Sequence, residues 1–115
     1  MIILIESQKC PKFGGYTSCN FKVCSRFKYD NKAFLFSLDK MKIFKIIPGN
    51  YALVCYYNVG PCFYNQSLIV PNDFFKNNGI VGATGDPFKF KKDFEINNGK
   101  KNFKIKELEI FQVLY

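Results

Sequence analysis

Histidine and tryptophan are both absent from this chain of 115 residues, and arginine occurs once, at Arg26. Without histidine, no Ser-His-Asp or Cys-His nucleophilic arrangement can form within the chain, and zinc sites of mixed Cys and His ligands are excluded. A lone arginine beside sixteen lysines also argues against a reader of base edges, which favours the planar guanidinium fork. No apolar run approaches the ~20 residues that a membrane-spanning helix needs. The opening "MIILIESQKC" lacks the basic start and the longer apolar core of a secretory signal, so it reads as a strand. No C-x-x-C pair occurs, and the cysteines are odd in number: Cys10, Cys19, Cys24, Cys55 and Cys62. That pattern points to reduced thiols in a cytoplasmic protein. A phosphate loop is missing too, because Gly14-Gly15 is not followed by Gly-Lys-Ser/Thr. In a strand, such glycines mark a bulge or a close backbone approach.

What is abundant is aromatic and apolar. Hydrophobic residues make up 48% of the chain and aromatics 18%, enough for one packed domain over 1–115. Turn signals recur at short intervals, at Pro48-Gly49-Asn50, Asn58-Val59-Gly60-Pro61, Pro71-Asn72-Asp73, Asn77-Asn78-Gly79, Gly85-Asp86-Pro87 and Asn97-Asn98-Gly99. Between them lie short runs rich in Ile, Val, Phe and Tyr, the spacing of an all-β, two-sheet antiparallel sandwich or a barrel. In "AFLFSL" (33–38), Phe34, Phe36 and Leu38 share one face and Ala33, Leu35 and Ser37 the other. "YALVCYY" (51–57) is apolar on both faces and predicts a strand covered on both sides. "FKFKKDFEI" (88–96) reads as a strand with Phe88, Phe90, Phe94 and Ile96 inward and Lys89, Lys91, Asp93 and Glu95 in water. Lys92 is its misfit. Residues 97–102 then predict a hairpin into the closing strand. The best helical segment is 71–79, where Asp73 caps one or two turns.

The net charge of +8 raises the question of an anionic partner. The lysines are scattered from Lys9 to Lys106 without a dense cluster, which fits a solvated surface.

Four blocks carry a family resemblance: "FGGYTSC" (13–19), "NKAFLFSLDK" (31–40), "YALVCYYNVGPCF" (51–63) and "NFKIKELEIFQVL" (102–114). In this order and at these separations they resemble the TLDc domain, over its central and C-terminal part. After the Asn-x-Gly-Pro block, family members commonly continue with a glycine-rich stretch and an Asp. Here residues 63–70 read "FYNQSLIV" instead. The resemblance implies a β-sandwich flanked by short helices and a role in resistance to oxidative stress. In several animal and fungal members it also implies binding to the vacuolar proton pump, the V-ATPase. It implies no agreed reaction, catalytic residue or cofactor. A further N-terminal segment of the family precedes the region corresponding to "IILIE", so this chain is expected to lack it and to leave a sheet edge open to homodimer formation.

Candidate chemistry is sparse. Glu107 and Glu109 are a close acidic pair near the end of the chain, where an every-second-residue apolar pattern breaks after Ile105 and resumes at Leu108. Paired carboxylates can do acid–base work or hold a metal if their oxygens converge. A one-residue β-bulge near Lys106–Glu107 is the alternative: it lets Phe103, Ile105, Leu108 and Ile110 all face the core and turns the glutamates outward. Cys10, flanked by Lys9 and Lys12, is a candidate redox thiol, and Cys62 beside the Gly60-Pro61 turn is another. The leading expectation is a non-enzymatic protein-interaction module with no cofactor or metal. The alternatives are a basic β-module stacking single-stranded nucleic acid on exposed Phe or Tyr, or a small cysteine-based redox protein.

Overall fold

Eleven strands and a single 3-10 turn make up the regular structure of the described residues in a computed structural model. Those residues are 1–9, 11–18, 26–55, 62–64, 67–71, 77–84 and 87–111, with Arg26 and Cys55 described through their backbone. The strands are β1 (Ile2–Ser7), β2 (Lys12–Tyr16), β3 (Arg26–Tyr29), β4 (Phe34–Ser37), β5 (Lys42–Lys45), β6 (Tyr51–Cys55), β7 (Cys62–Phe63), β8 (Leu68–Ile69), β9 (Gly79–Val81), β10 (Asn102–Phe103) and β11 (Ile105–Phe111). They form two antiparallel sheets, one in the order β11-β1-β2-β4-β5 and the other β10-β9-β8-β7-β6-β3.

Alternation along each strand decides which side chains enter the space between the sheets. In β1, Ile3, Ile5 and Ser7 are buried while Ile2, Leu4 and Glu6 are only partly covered. Ala33, Leu35 and Ser37 are buried and Phe34 and Phe36 are not, as the two-residue period predicts. Ala52, Leu53 and Val54 on β6 are all buried, so both faces of that strand are covered. Three fully buried phenylalanines, Phe13, Phe63 and Phe88, anchor the core. Phe13 meets Phe103 edge-on at 4.9 Å, and Phe63 meets Phe88 at 5.8 Å. Burial of each such side chain contributes about 1.5–3 kcal/mol.

The bulge in the closing strand is present. Glu6 pairs with Glu107 and Ser7 with Ile105, which leaves Lys106 as the extra residue. Phe103 and Ile105 are buried and Leu108 half-buried, but Ile110 is 51% exposed. The expectation that Ile110 reaches the core is corrected: β11 is an edge strand, with no neighbour on its outer flank among the described strands.

Residues 88–96 depart further from expectation, since they do not form a strand. Phe88 makes one isolated bridge with Ile46, and the chain then turns into the 3-10 segment Glu95–Asn97. Phe94 and Asn98, both left-handed with φ of 54° and 55°, bracket that segment. The cause lies in Glu95, which is buried and not in water. Its Oε1 accepts from the backbone N–H of Lys91 at 2.9 Å and of Lys92 at 3.3 Å, so these amides have a partner other than a strand ladder. Lys92, the misfit of the strand reading, is exposed. The apolar assignments survive for Phe88, Phe90 and Ile96, which are buried, while Phe94 is half-buried. The closing strand does not hairpin back on this segment either, because β11 pairs with β1 and β10 with β9. Residues 72–76, the body of the expected helix, lie outside the described residues.

Candidate functional site

The outer face of the five-stranded sheet carries a run of partly covered aromatic and aliphatic side chains. Register fixes its composition row by row. Phe111, Ile2, Tyr16 and Phe34 lie side by side across β11, β1, β2 and β4. The next row is Glu109, Leu4, Gly14, Phe36 and Ile43. A third row, Glu107, Glu6 and Lys12, is charged. The face therefore runs from aromatic at one end to ionic at the other. Tyr16 and Phe34 stack at 5.1 Å, and Phe34 meets Phe36 at 6.3 Å. The Phe36 ring lies over Gly14, where an added β-carbon would come within 2.9 Å of its Cζ. An added β-carbon there would also strike the carbonyl oxygen of Ile3 on the neighbouring strand, so both the ring and the strand backbone require glycine at this position. Ile43 is 60% exposed and Phe111 48%, while Ile2, Leu4, Tyr16, Phe34 and Phe36 are partly covered. Contiguous apolar surface of this kind marks interaction sites.

A smaller aromatic cluster sits on the six-stranded sheet. Tyr29 stacks on Tyr51 at 4.3 Å, and Phe27 approaches Tyr51 at 5.1 Å and Tyr64 at 5.3 Å. The Tyr29 hydroxyl is hydrogen-bonded to that of Tyr51, which raises the Tyr29 pKa above its ordinary value. These rings come from β3, β6 and the residue after β7, positions that no single sequence window relates.

The sequence-derived candidates are dispersed. Glu107 and Glu109 are both exposed on the outer face, with Glu107 directly across from Glu6. Glu6 pairs with Lys106 at 3.7 Å. Cys62 lies in β7, not in an exposed turn: it is buried, with Sγ 3.8 Å from the carbonyl oxygen of Phe63. Cys10 lies outside the described residues. Among the described residues, no group of three Asp, Glu, Cys or His side chains could hold a metal ion. No helix among them is long and apolar enough to cross a membrane.

Two carboxylates organise the structure: Asp30, which the sequence reading did not single out, and Glu95, which it placed in water. Asp30, buried, accepts from Thr17 Oγ1 at 2.6 Å, Ser18 N at 2.8 Å, Ser18 Oγ at 2.9 Å and Lys32 N at 3.0 Å. Burial pulls its pKa up, but these donors outweigh that and hold it below the ordinary 3.8. Glu95 is likewise opposed by burial, yet Lys42 and the amides of Lys91 and Lys92 bring it below 4.5. Lys42 Nζ lies 3.0 Å from its Oε2. Both carboxylates are saturated with protein donors, which suits anchoring.

A family model described as the TLDc domain matches residues 1–114. No curated protein matches the chain.

Proposed function

The chain belongs to the TLDc domain family, and we propose that it acts as a protein-interaction module in resistance to oxidative stress, by binding the vacuolar proton pump. The observation that carries this reading is the aromatic outer face of the five-stranded sheet. Phe34, Phe36 and Ile43 offer a partner apolar area beside the charged row of Glu107, Glu6 and Lys12. An apolar centre with a polar margin is the anatomy of a protein interface.

The test is a pull-down of purified pump subunits with wild-type protein and with Ile43→Asp. Ile43 is exposed, so the charge should leave the fold intact while binding falls at least about tenfold. Failure of the wild type to retain any pump subunit would remove the pump from the proposal. Self-association belongs to the same reading, since β11 has no second neighbour among the described strands and carries half-exposed Ile110 and Phe111. A light-scattering mass of one protomer would discard it.

The ring cluster of Phe27, Tyr29, Tyr51 and Tyr64 supports a second reading, stacking of single-stranded nucleic acid. It requires binding at low salt that weakens steeply as salt rises and is lost in Tyr29→Ala.

A further inference from the structure

Between β3 and β6 the register shifts after Lys28, which skips Ala52 and sets Tyr29 opposite Tyr51. The two rings stack at 4.3 Å between centroids with their planes inclined by 26°, and their hydroxyls are hydrogen-bonded to each other. A stacked pair joined at its hydroxyl ends is aligned in one sense, so the ring carbons beside one hydroxyl face those beside the other. Those ortho carbons carry much of the unpaired electron of a tyrosyl radical, and they are where two such radicals join. Among the described residues the other tyrosine pair, Tyr51 with Tyr64, meets edge-on at 5.7 Å and 72°. Tyr16 stacks on Phe34, but phenylalanine has no phenol to oxidise.

Position suits the pair to this chemistry as well as geometry. Tyr29 is 60% exposed and Tyr51 half-buried, so an oxidant reaches the outer ring directly and the phenolic protons can pass to solvent. A joined pair of rings lies flatter than a stack, and the exposed Tyr29 ring has room to swing outward as the bond forms. Holding the reacting carbons face to face makes coupling within the molecule far faster than coupling between molecules.

We propose that Tyr29 and Tyr51 form an oxidative cross-linking site, where hydrogen peroxide acting through a haem peroxidase couples the two phenols into a dityrosine. Each tyrosine loses one electron and its phenolic proton, leaving two tyrosyl radicals. An ortho carbon of one ring then bonds to an ortho carbon of the other. The hydrogen that each of these carbons carried moves through solvent to its own ring's oxygen, which restores both phenols. Hydrogen peroxide takes up the two electrons and two protons and leaves as two molecules of water. The product ties the edge strand β3 to β6, its single neighbour among the described strands. It also closes a loop of chain from residue 29 to residue 51, which removes freedom from the unfolded state. The site is independent of the apolar face assigned to protein contact.

The experiment treats the full chain with a haem peroxidase and hydrogen peroxide, at about 1 μM protein so that coupling between molecules is suppressed. Dityrosine fluorescence should rise in the monomer fraction, and peptide mass spectrometry should find Tyr29 and Tyr51 joined with the loss of two hydrogens. Tyr29→Phe and Tyr51→Phe keep the rings and remove the phenols. Each should lower the dityrosine yield of the monomer at least about fivefold, whereas Tyr64→Phe should change it less than about twofold. The cross-linked monomer should unfold at a higher urea concentration than the untreated protein, and a midpoint no higher would remove the stapling of β3. A different tyrosine pair as the main product would overturn the proposal. So would a loss in Tyr64→Phe equal to that in Tyr29→Phe, or no dityrosine in the monomer while the same peroxidase couples free tyrosine. Circular dichroism of each variant reports folding directly, so loss of cross-linking is separable from loss of structure.

Discussion

The bare Cα of Gly15 on β2 faces the ring of Phe63 on β7 across the space between the two sheets. A β-carbon at position 15 would stand 2.5 Å from Phe63 Cζ and 2.8 Å from Leu35 Cδ2. Phe63 is fully buried and held against Phe88, so it cannot retreat without disturbing the rest of the core. The sheets approach as closely as they do at this point because glycine is there.

Gly15→Ala should therefore destabilise the fold by about 1–3 kcal/mol through overpacking, read as a lower urea midpoint. The same change made in Phe63→Leu should be less costly, because the smaller side chain leaves room. Additive losses in the double variant would mean that the two positions do not meet.

Acid should unfold the protein through its anchored carboxylates. Asp30, Asp93 and Glu95 all have folded pKa values below their ordinary ones. For Asp93 the cause is donation from the Thr84 side chain and amide. A lowered folded pKa gives stability that is complete above the unfolded value and is lost as pH falls through the folded one. Stability carried by these groups should hold above the ordinary 4.5 of Glu and decline as pH drops below it and then below the 3.8 of Asp. Asp30→Asn should cost on the order of 3 kcal/mol at pH 7 and make the acid decline shallower. Denaturant midpoints across pH 2.5 to 7 measure both, and an unchanged acid slope would exclude Asp30 from the effect.

The ion pair of Lys42 with Glu95 should respond asymmetrically. Glu95 has a side-chain exposure of 4% and Lys42 of 53%. Glu95→Ala strands the amides of Lys91 and Lys92 and should cost about 2–4 kcal/mol, whereas Lys42→Ala should cost less than about 1 kcal/mol. Equal losses in chemical denaturation would mean that the charge pair, not the amide bonds, holds the turn.

Cys62 should be inert in the folded protein. Buried in β7, it should alkylate with iodoacetamide at least about a hundredfold more slowly than free cysteine, and react at full rate in denaturant. Site-resolved mass spectrometry over a labelling time course distinguishes it from the other thiols. Labelling at the rate of free cysteine would place Cys62 at the surface.

The sequence was most informative where a two-residue rhythm coincided with a buried strand. The opening strand, the 33–38 face assignment and the bulge at Lys106 were legible because one buried face forces register, and the strand at 51–55 because an unbroken apolar run marks cover on both faces. It misled at 88–96, where the same rhythm of phenylalanines serves a non-strand path. There a buried carboxylate supplied partners for backbone amides, and periodicity carries no record of such a bond. The candidate surfaces were harder still to see. Tyr16, Phe34 and Phe111 belong to three separate segments, and only the sheet order makes them neighbours.

That pairing of the first strand with the last has a consequence for synthesis. β1 can fold onto β2 as soon as both leave the ribosome, but its other flank waits for residues 105–111. At about 5–20 residues per second, the nascent chain carries an unsatisfied strand flank for several seconds while some ninety further residues are made. Completion of the five-stranded sheet thus waits for residues 105–111, and translation that stalls before residue 105 yields a chain with a β-edge available to its neighbours.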